Sequence, residues 1–401
     1  MEERLLGTIS MGVRAPIIRE GDNLAQIVAD SVINASRNHK ISIEDKDIIA
    51  ITESIVARAE GNYITVDNIA YDIERKFGKD AEIVLLYPIM SRNRFAMCLK
   101  GIARAAKKLT IVLRYPSDEV GNKLVSDEEF ENAGFLDNSR MINEEEYREA
   151  FGYAKHQFTG VDYVEYYSSL VKNENCEVEI IFANENHQVS SLGTKYLCCD
   201  IHTRHATKKY LKQYTGGLEK VVYGLDDICT ESIDGSGYNP DYGLLGSNKA
   251  NEERLKLFPR GGNELVLKIQ ALVKEATGKD VEVMVYGDGA FKDPVGKIWE
   301  LADPVVSPAH TDGLLGQPNE LKLKALADGK YANLSGDELK KAITEEIKAK
   351  GDNLVGSMES QGTTPRRITD LVGSLCDLTS GSGDKGTPIV WVKGYFDNYT
   401  K

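Results

Sequence analysis

A carboxylate leaving the end of a buried strand between two glycines can hold a hard cation or a metal-bound phosphate, because glycines let other groups approach the backbone closely. The stretch VEVMVYGDGAFKDP, Val281 to Pro294, places Asp288 in that position. Its first six residues are apolar or β-branched apart from Glu282, which predicts a buried strand. A plain strand-to-turn junction has the same composition, so the other stretches decide between the two. A second carboxylate, Asp234, stands in the Gly-, Asn-, Asp- and Pro-rich loop Glu231 to Gly243. A helix (263–277) and the Val281 strand follow that loop directly, so Asp234 and Asp288 can share one cavity. A third candidate is the loop GSGDKG, Gly381 to Gly386, whose N–H groups can wrap an anion beside Lys385. It runs from helix to strand, the reverse of a Walker phosphate loop, and by itself reads equally as a connector.

The run CCDIHTRHATKK offers Cys198, Cys199, Asp200, His202 and His205 as soft-metal ligands. Adjacent cysteines and an HxxH pair do not follow zinc spacings, which weighs against a site there. The other cysteines are scattered with no CxxC pair, which fits reduced, buried thiols.

These residues must be carried by a chain of 401 residues, long enough for two or three domains or for one domain with large insertions. With 28% charged and 41% hydrophobic residues it has a soluble, globular composition. No run is long enough to span a bilayer, and no basic start precedes an apolar stretch, so the expectation is a cytoplasmic protein with no membrane partner. A net charge of −13 disfavours a nucleic-acid footprint, although small anions can still bind locally.

Along the chain, spacing predicts a helix after an Asp22 cap, a strand at 47–52, a strand at 82–88, a basic helix at 95–108 and a short strand at 111–114. The basic face reads as solvated. Residues 116–217 change character, being acidic, then tyrosine-rich, with one strand-like run at 178–182. Strand-like pieces follow at 220–225 and 255–259, a lysine-rich helix at 335–350 and a last strand at 388–392. The fold class is α+β, a mixed α/β core.

Read together, four stretches resemble the γ-glutamyl ligases that add glutamate to the deazaflavin precursor coenzyme F420-0. GVRAPIIREGDNLAQIV (Gly12 to Val28) and DIIAITESIVARAEGN (Asp47 to Asn62) resemble the family's opening and its first strand-to-helix segment. ESIDGSGYN and VMVYGDGAFKDP resemble its two aspartate-bearing segments, and TDLVGSLCDLTSGSGDKGTPIVWVKG (Thr369 to Gly394) resembles its ending. About half of the chain is covered. The resemblance implies a core from 1–115, 218–300 and 356–401, with insertions at 116–217 (tyrosine-rich and acidic) and 301–355 (proline-rich, then helical).

It also implies chemistry: GTP, or ATP, phosphorylates the carboxylate of a small-molecule acceptor, and the amine of L-glutamate attacks the acyl phosphate to form an amide. Mg2+ or Mn2+ would be held at Asp234, Asp288 and Ser382, with both aspartates catalytic. The nucleotide would meet Pro16, Glu53, Ser54, Arg58, Asn239, Gly381, Ser382, Gly383, Asp384 and Lys385. The family's dimer implies a homodimer here. Several positions depart from the pattern. Glu53 and Ser54 stand where the family has Ser-Lys, Gly237 where it has Asn, Gly289 where it has Thr and Ser382 where it has Gln, with Lys292 and Lys297 as stand-ins for its arginines. An acid gained beside a triphosphate site repels the ligand by several kcal/mol, on the order of 4 at an effective dielectric of 20, unless a cation lies between. The alternative reading is therefore a non-catalytic or repurposed metal- or metabolite-binding protein on the same scaffold.

Overall fold

The most strongly β-branched runs of the chain lie far apart in sequence, so the sheets are closed by long-range pairing. The computed structural model describes residues 5–134, 140–156, 159–214, 217, 219–287, 306–354, 356–360, 367–379 and 383–400, and the backbone at 290–292 and 299–301. Through the first third the elements are β1 (Ile9–Val13), α1 (Leu24–His39), β2 (Ile48–Thr52), α2 (Glu53–Ala59), β3 (Tyr63–Thr65), α3 (Val66–Phe77), β4 (Ala81–Leu86), α4 (Phe95–Ala105) and β5 (Ala106–Leu113). Then come α5 (Asp127–Asn132), β6 (Ile142–Asn143), α6 (Glu144–Phe151), α7 (Tyr163–Asn173), β7 (Glu177–Phe182), α8 (Asn186–Val189), β8 (Lys195–Cys198), α9 (Arg204–Gln213) and β9 (Val221–Gly224). The last part holds β10 (Asn248–Lys249), β11 (Arg254–Lys256), α10 (Gly262–Thr277), β12 (Glu282–Tyr286), β13 (Ala290–Lys292), β14 (Trp299–Leu301), β15 (Ala309–His310), α11 (Leu323–Asp328), α12 (Gly336–Ala349), α13 (Ile368–Thr379) and β16 (Ile389–Lys393). The mixture of helices with parallel and antiparallel strands is the α+β class expected.

One five-stranded sheet has the order β1-β16-β2-β12-β15. β2 pairs parallel with β12 and antiparallel with β16, and every residue of β2 is buried. A strand covered on both faces must be apolar throughout, which is why IIAIT shows no alternation. Ile49 and Ile51 face α1 and α10, packing with Val28, Val32, Ile269 and Val273. Ile48 and Ala50 face α13, packing with Val372 and Cys376. Burying each such isoleucine is worth about 1.5–3 kcal/mol. The buried carboxylate of Asp47 pins the sheet's last strand, accepting from Trp391 Nε1 at 2.9 Å and Lys393 Nζ at 3.0 Å.

The second sheet has the order β6-β7-β5-β4-β8-β9, parallel apart from β6. Alternate residues of β4 again go to opposite layers. Ile83 and Leu85 pack with α3, α4 and α7, whereas Val84 and Leu86 pack with Val189 of α8 and Leu211 of α9. This sheet takes strands from both sides of residue 116 and from beyond residue 217. The tyrosines of 163–167 serve it as core. Tyr167 is fully buried, and its hydroxyl donates to the Ile89 carbonyl at 3.0 Å and accepts from the Ser91 N–H at 2.9 Å.

Two sequence readings shift. The basic helix ends at Ala105, and Lys107 and Lys108 belong to β5, where pairing with β4 and β7 outweighs helix propensity. Their ammonium groups meet Glu82 and Glu179 at the surface. β8 was not foreseen, because KYLC is short and runs into the Cys199-Asp200 turn. A small third sheet, β10-β11-β3, lies between the larger two in the chain path. No helix among the described residues is long and apolar enough to cross a membrane.

Candidate active site

The strand directions bring the motif segments to one edge of the five-stranded sheet. Because β1, β2 and β12 run the same way and β16 runs against them, the ends of the first three meet the start of the fourth. Thr52 N–H donates to the Pro388 carbonyl at 3.0 Å, and Ala15 N–H to the Gly386 carbonyl at 3.2 Å. Pro16, Glu53, Gly287 and the 383–387 loop therefore gather at that edge. In α/β sheets the carboxyl edge of parallel strands is where ligands bind.

A cleft of roughly 590 Å³ opens there. Glu53, Ser54 and Arg58 of α2 form one wall, and Lys249, Arg254 and Lys256 of the β10-β11 ribbon form the other. Arg94, from the loop before α4, and Asp377 of α13 complete the rim, and Gly287 lies at the end of β12. Glu53 is 6% exposed and Lys256 8%, and Lys256 Nζ reaches the two carboxylate oxygens at 2.9 and 2.6 Å. A buried acid is tolerable only when so paired. The charge that Glu53 brings is thus cancelled from a distant strand, and Arg58, Arg94, Lys249 and Arg254 outnumber Asp377 in the rest of the lining. Arg254 lies over the Tyr63 ring at 4.6 Å, which fixes its guanidinium at the wall. The Thr52 hydroxyl is buried against the cleft with no partner among the described residues. The whole arrangement suits a polyanion.

Lys256 was missed in sequence. Its signal was a lysine between two leucines in a strand-like run, a position from which only the head group can find a polar partner.

The other expected residues fall in several places. Asp288, Gly381, Ser382 and Lys297 lie outside the described residues, as does the side chain of Lys292; Asp288 directly follows the cleft-lining Gly287. Asp234 is exposed in a turn closed by the Ser236 N–H to Ile233 carbonyl bond, outside the cleft lining. Its loop is nevertheless docked beside the cleft, since Gly237 N–H donates to the carbonyl of Tyr63 at 2.7 Å. Asn239 is 2% exposed and clamps that loop. Its amide nitrogen donates to the Phe258 and Pro259 carbonyls, and its oxygen accepts from the Asp241 and Tyr242 N–H groups. Lys385 lines a neighbouring groove with Arg14, along α1, and Gly383 and Asp384 are exposed next to it.

The zinc reading fails on geometry. Cys198 enters the core on the α8 and α9 side of the six-stranded sheet and Cys199 the core on the other side, while His202 and His205 are exposed. Burial pushes both thiols up, which suits inert core cysteines. Among the described residues no group of three His, Cys, Asp or Glu could hold a metal ion, so those residues alone form no closed cage; a cation delivered with phosphates needs only one or two protein carboxylates.

Comparison with known proteins bears on the same segments. A family model described as F420-0:Gamma-glutamyl ligase matches residues 12–394. A coenzyme F420:L-glutamate ligase of Methanosarcina mazei is 33% identical over 86 residues, covering 20% of this chain and 30% of that relative. Its counterpart in Methanosarcina acetivorans is 34% identical over 86 residues, with the same coverage. The one from Methanothermobacter thermautotrophicus is 35% identical over 85 residues, 20% of this chain and 32% of the relative. The matches span about a third of the length of these curated relatives.

Proposed function

The chain belongs to the F420-0:Gamma-glutamyl ligase family, and from that membership and the cleft we propose that it is an amide-forming ligase joining L-glutamate to a carboxylate-bearing small molecule. The observation that carries the reading is the cationic cleft at the carboxyl edge of β2 and β12, lined by Glu53, Ser54 and Arg58 of the family-like segment 47–62. In this reading GTP or ATP lays its phosphates against Arg58, Lys249 and Arg254. The γ-phosphoryl group passes to the acceptor carboxylate, and the glutamate amine then displaces phosphate from the acyl carbon and loses a proton. A preorganised set of fixed cations stabilises the charge that develops on the transferred group. Mg2+ or Mn2+, held by Asp234, Asp288 and Ser382, would supply further charge neutralisation. A homodimer and a cytoplasmic location belong to the same proposal.

Calorimetric titration with GTP and with ATP, each with and without Mn2+, tests it. The expected result is metal-dependent binding of one nucleotide, weakened about tenfold or more in Arg254→Ala. Turnover linked to glutamate addition should disappear in Asp288→Ala; full turnover in that variant overturns the assignment. Metal binding with neither nucleotide favours the non-catalytic scaffold instead.

A further inference from the structure

The six-stranded sheet has a switch point of its own. Counted along the chain, its parallel strands β4, β5, β7, β8 and β9 lie in the spatial order third-second-first-fourth-fifth, with helices α4 and α7 on one face and α8 and α9 on the other. The order reverses between β4 and β8, and the loops leaving these two strands diverge to opposite faces. Such a switch point at the carboxyl edge is where doubly wound sheets take ligands.

Buried polar atoms without hydrogen-bond partners collect at this edge. Tyr87 follows β4 in a left-handed conformation, φ 57°, and is 1% exposed. Asp200, two residues beyond β8, is 0% exposed. Among the described residues the Tyr87 hydroxyl and Asp200 Oδ1 have no hydrogen-bond partner, nor do Arg114 Nε after β5 and Asn186 Oδ1 at the start of α8. Native interiors contain few such atoms, and four at the ends of four neighbouring strands call for an occupant. The groups are held in place: the Arg114 guanidinium lies 4.0 Å from the Tyr87 ring centroid and donates through Nη1 to the Asn184 carbonyl at 3.0 Å. Asp200 Oδ2 accepts from the hydroxyls of Thr203 and Thr207, which leaves Oδ1 as its open side. Burial holds the Asp200 carboxyl above its ordinary range, against the Thr203 hydrogen bond.

The chemistry narrows the occupant. The loop 87–94, YPIMSRNR, contains no glycine, so its backbone cannot wrap a pyrophosphate as dinucleotide-binding turns do. A guanidinium within the cluster disfavours a metal ion. What remains open is one anionic and one amide acceptor, one cationic donor and one hydroxyl that can serve either way. We infer that the switch point between β4 and β8 is a second small-molecule site, distinct from the cleft, that takes an α-amino acid, its ammonium group on Asp200 and its carboxylate on Arg114, with Tyr87 bridging the two.

Titration of the full chain with each of the twenty amino acids, by calorimetry and thermal shift, tests this. The expected result is saturable binding of at least one amino acid, weakened about tenfold or more in both Tyr87→Phe and Asp200→Asn and unchanged in the cleft variant Arg254→Ala. Tyr87→Phe keeps the ring and removes only an unpaired hydroxyl, so the variant without ligand should melt no lower than the parent, and it decides the question if Asp200→Asn does not fold. Three results overturn the inference: no amino acid binds, as when waters alone serve these groups; binding survives both Tyr87→Phe and Asp200→Asn or is lost in Arg254→Ala, which assigns it to the cleft; or a nucleoside binds here in place of an amino acid.

Discussion

Lys256 and Glu53 lie 203 positions apart in sequence yet form one buried pair. Truncating Lys256 breaks a buried ion pair, so Lys256→Ala should lose about 3 kcal/mol of unfolding free energy in a denaturant melt. The double variant Glu53→Gln/Lys256→Met removes both charges and should recover most of that loss. A different carboxylate sets a pH dependence. Burial pushes Asp118 up from 3.8 to about 6, against the N–H donors of Met90, Asn122 and Val120. The raised value means the folded state binds the extra proton, so this group's contribution is fully present below pH 3.8 and is lost as the pH rises to about 6, by about 3 kcal/mol. The stability gap between the parent and Asp118→Ala should shrink by about that amount from pH 3.5 to pH 6.5, as measured by urea melts. At this scale the motif singled out Glu53 and Arg58, and both line the cleft. It could not reveal Lys256, because the neighbour that gives that residue its role is set by tertiary pairing.

Between residues and the whole stand the loops and short strands that deliver them. The 231–239 loop docks beside the cleft because Gly237 fits against β3; a Cβ there would sit 2.5 Å from Asn62 Oδ1 and 2.6 Å from the Tyr63 nitrogen. Gly237→Ala should therefore cost about 1–3 kcal/mol in stability and, by lifting the Asp234 turn, weaken Mn2+ binding in a calorimetric titration. Helix α3 starts on a reciprocal cap between Thr65 and Asn68, and Thr65→Ala should lower the thermal midpoint by the equivalent of about 1 kcal/mol. Strands β2, β12 and β16 were legible because both faces are buried and the apolar run is continuous. β8 and the first residues of β5 were not, since their strand character comes from the neighbours they pair with. Asn239 shows the same limit: its residue type suited a ligand contact, and its position made it a loop clamp.

The molecule contains a mixed sheet and a largely parallel one, and the loop 87–94 runs from the switch point of the parallel sheet to the cleft at the mixed one, carrying Tyr87 at one end and Arg94 at the other. A chain of net charge −13 reserves local positive charge for the cleft, so nucleotide affinity there should fall as salt rises through a binding isotherm series. β2, central and buried on both faces, should hold the slowest-exchanging amides in a hydrogen-exchange experiment, opening only with global unfolding. The resemblance implied a core that joins strands from both ends of the sequence, as the five-stranded sheet does, whereas the parallel array left only scattered apolar runs in the sequence, because its order is decided by helices packing on two faces. The insertion of β16 between β1 and β2 also imposes a timetable on synthesis. All strands of the parallel array have been made when Gly224 is joined, but the other sheet waits for Ile389, an interval of roughly ten to thirty seconds at ribosomal speed. For that time Ile48–Thr52, the most apolar strand of the protein, has no partner on its β16 side, and a nascent chain in this state is the form that chaperones would be expected to meet.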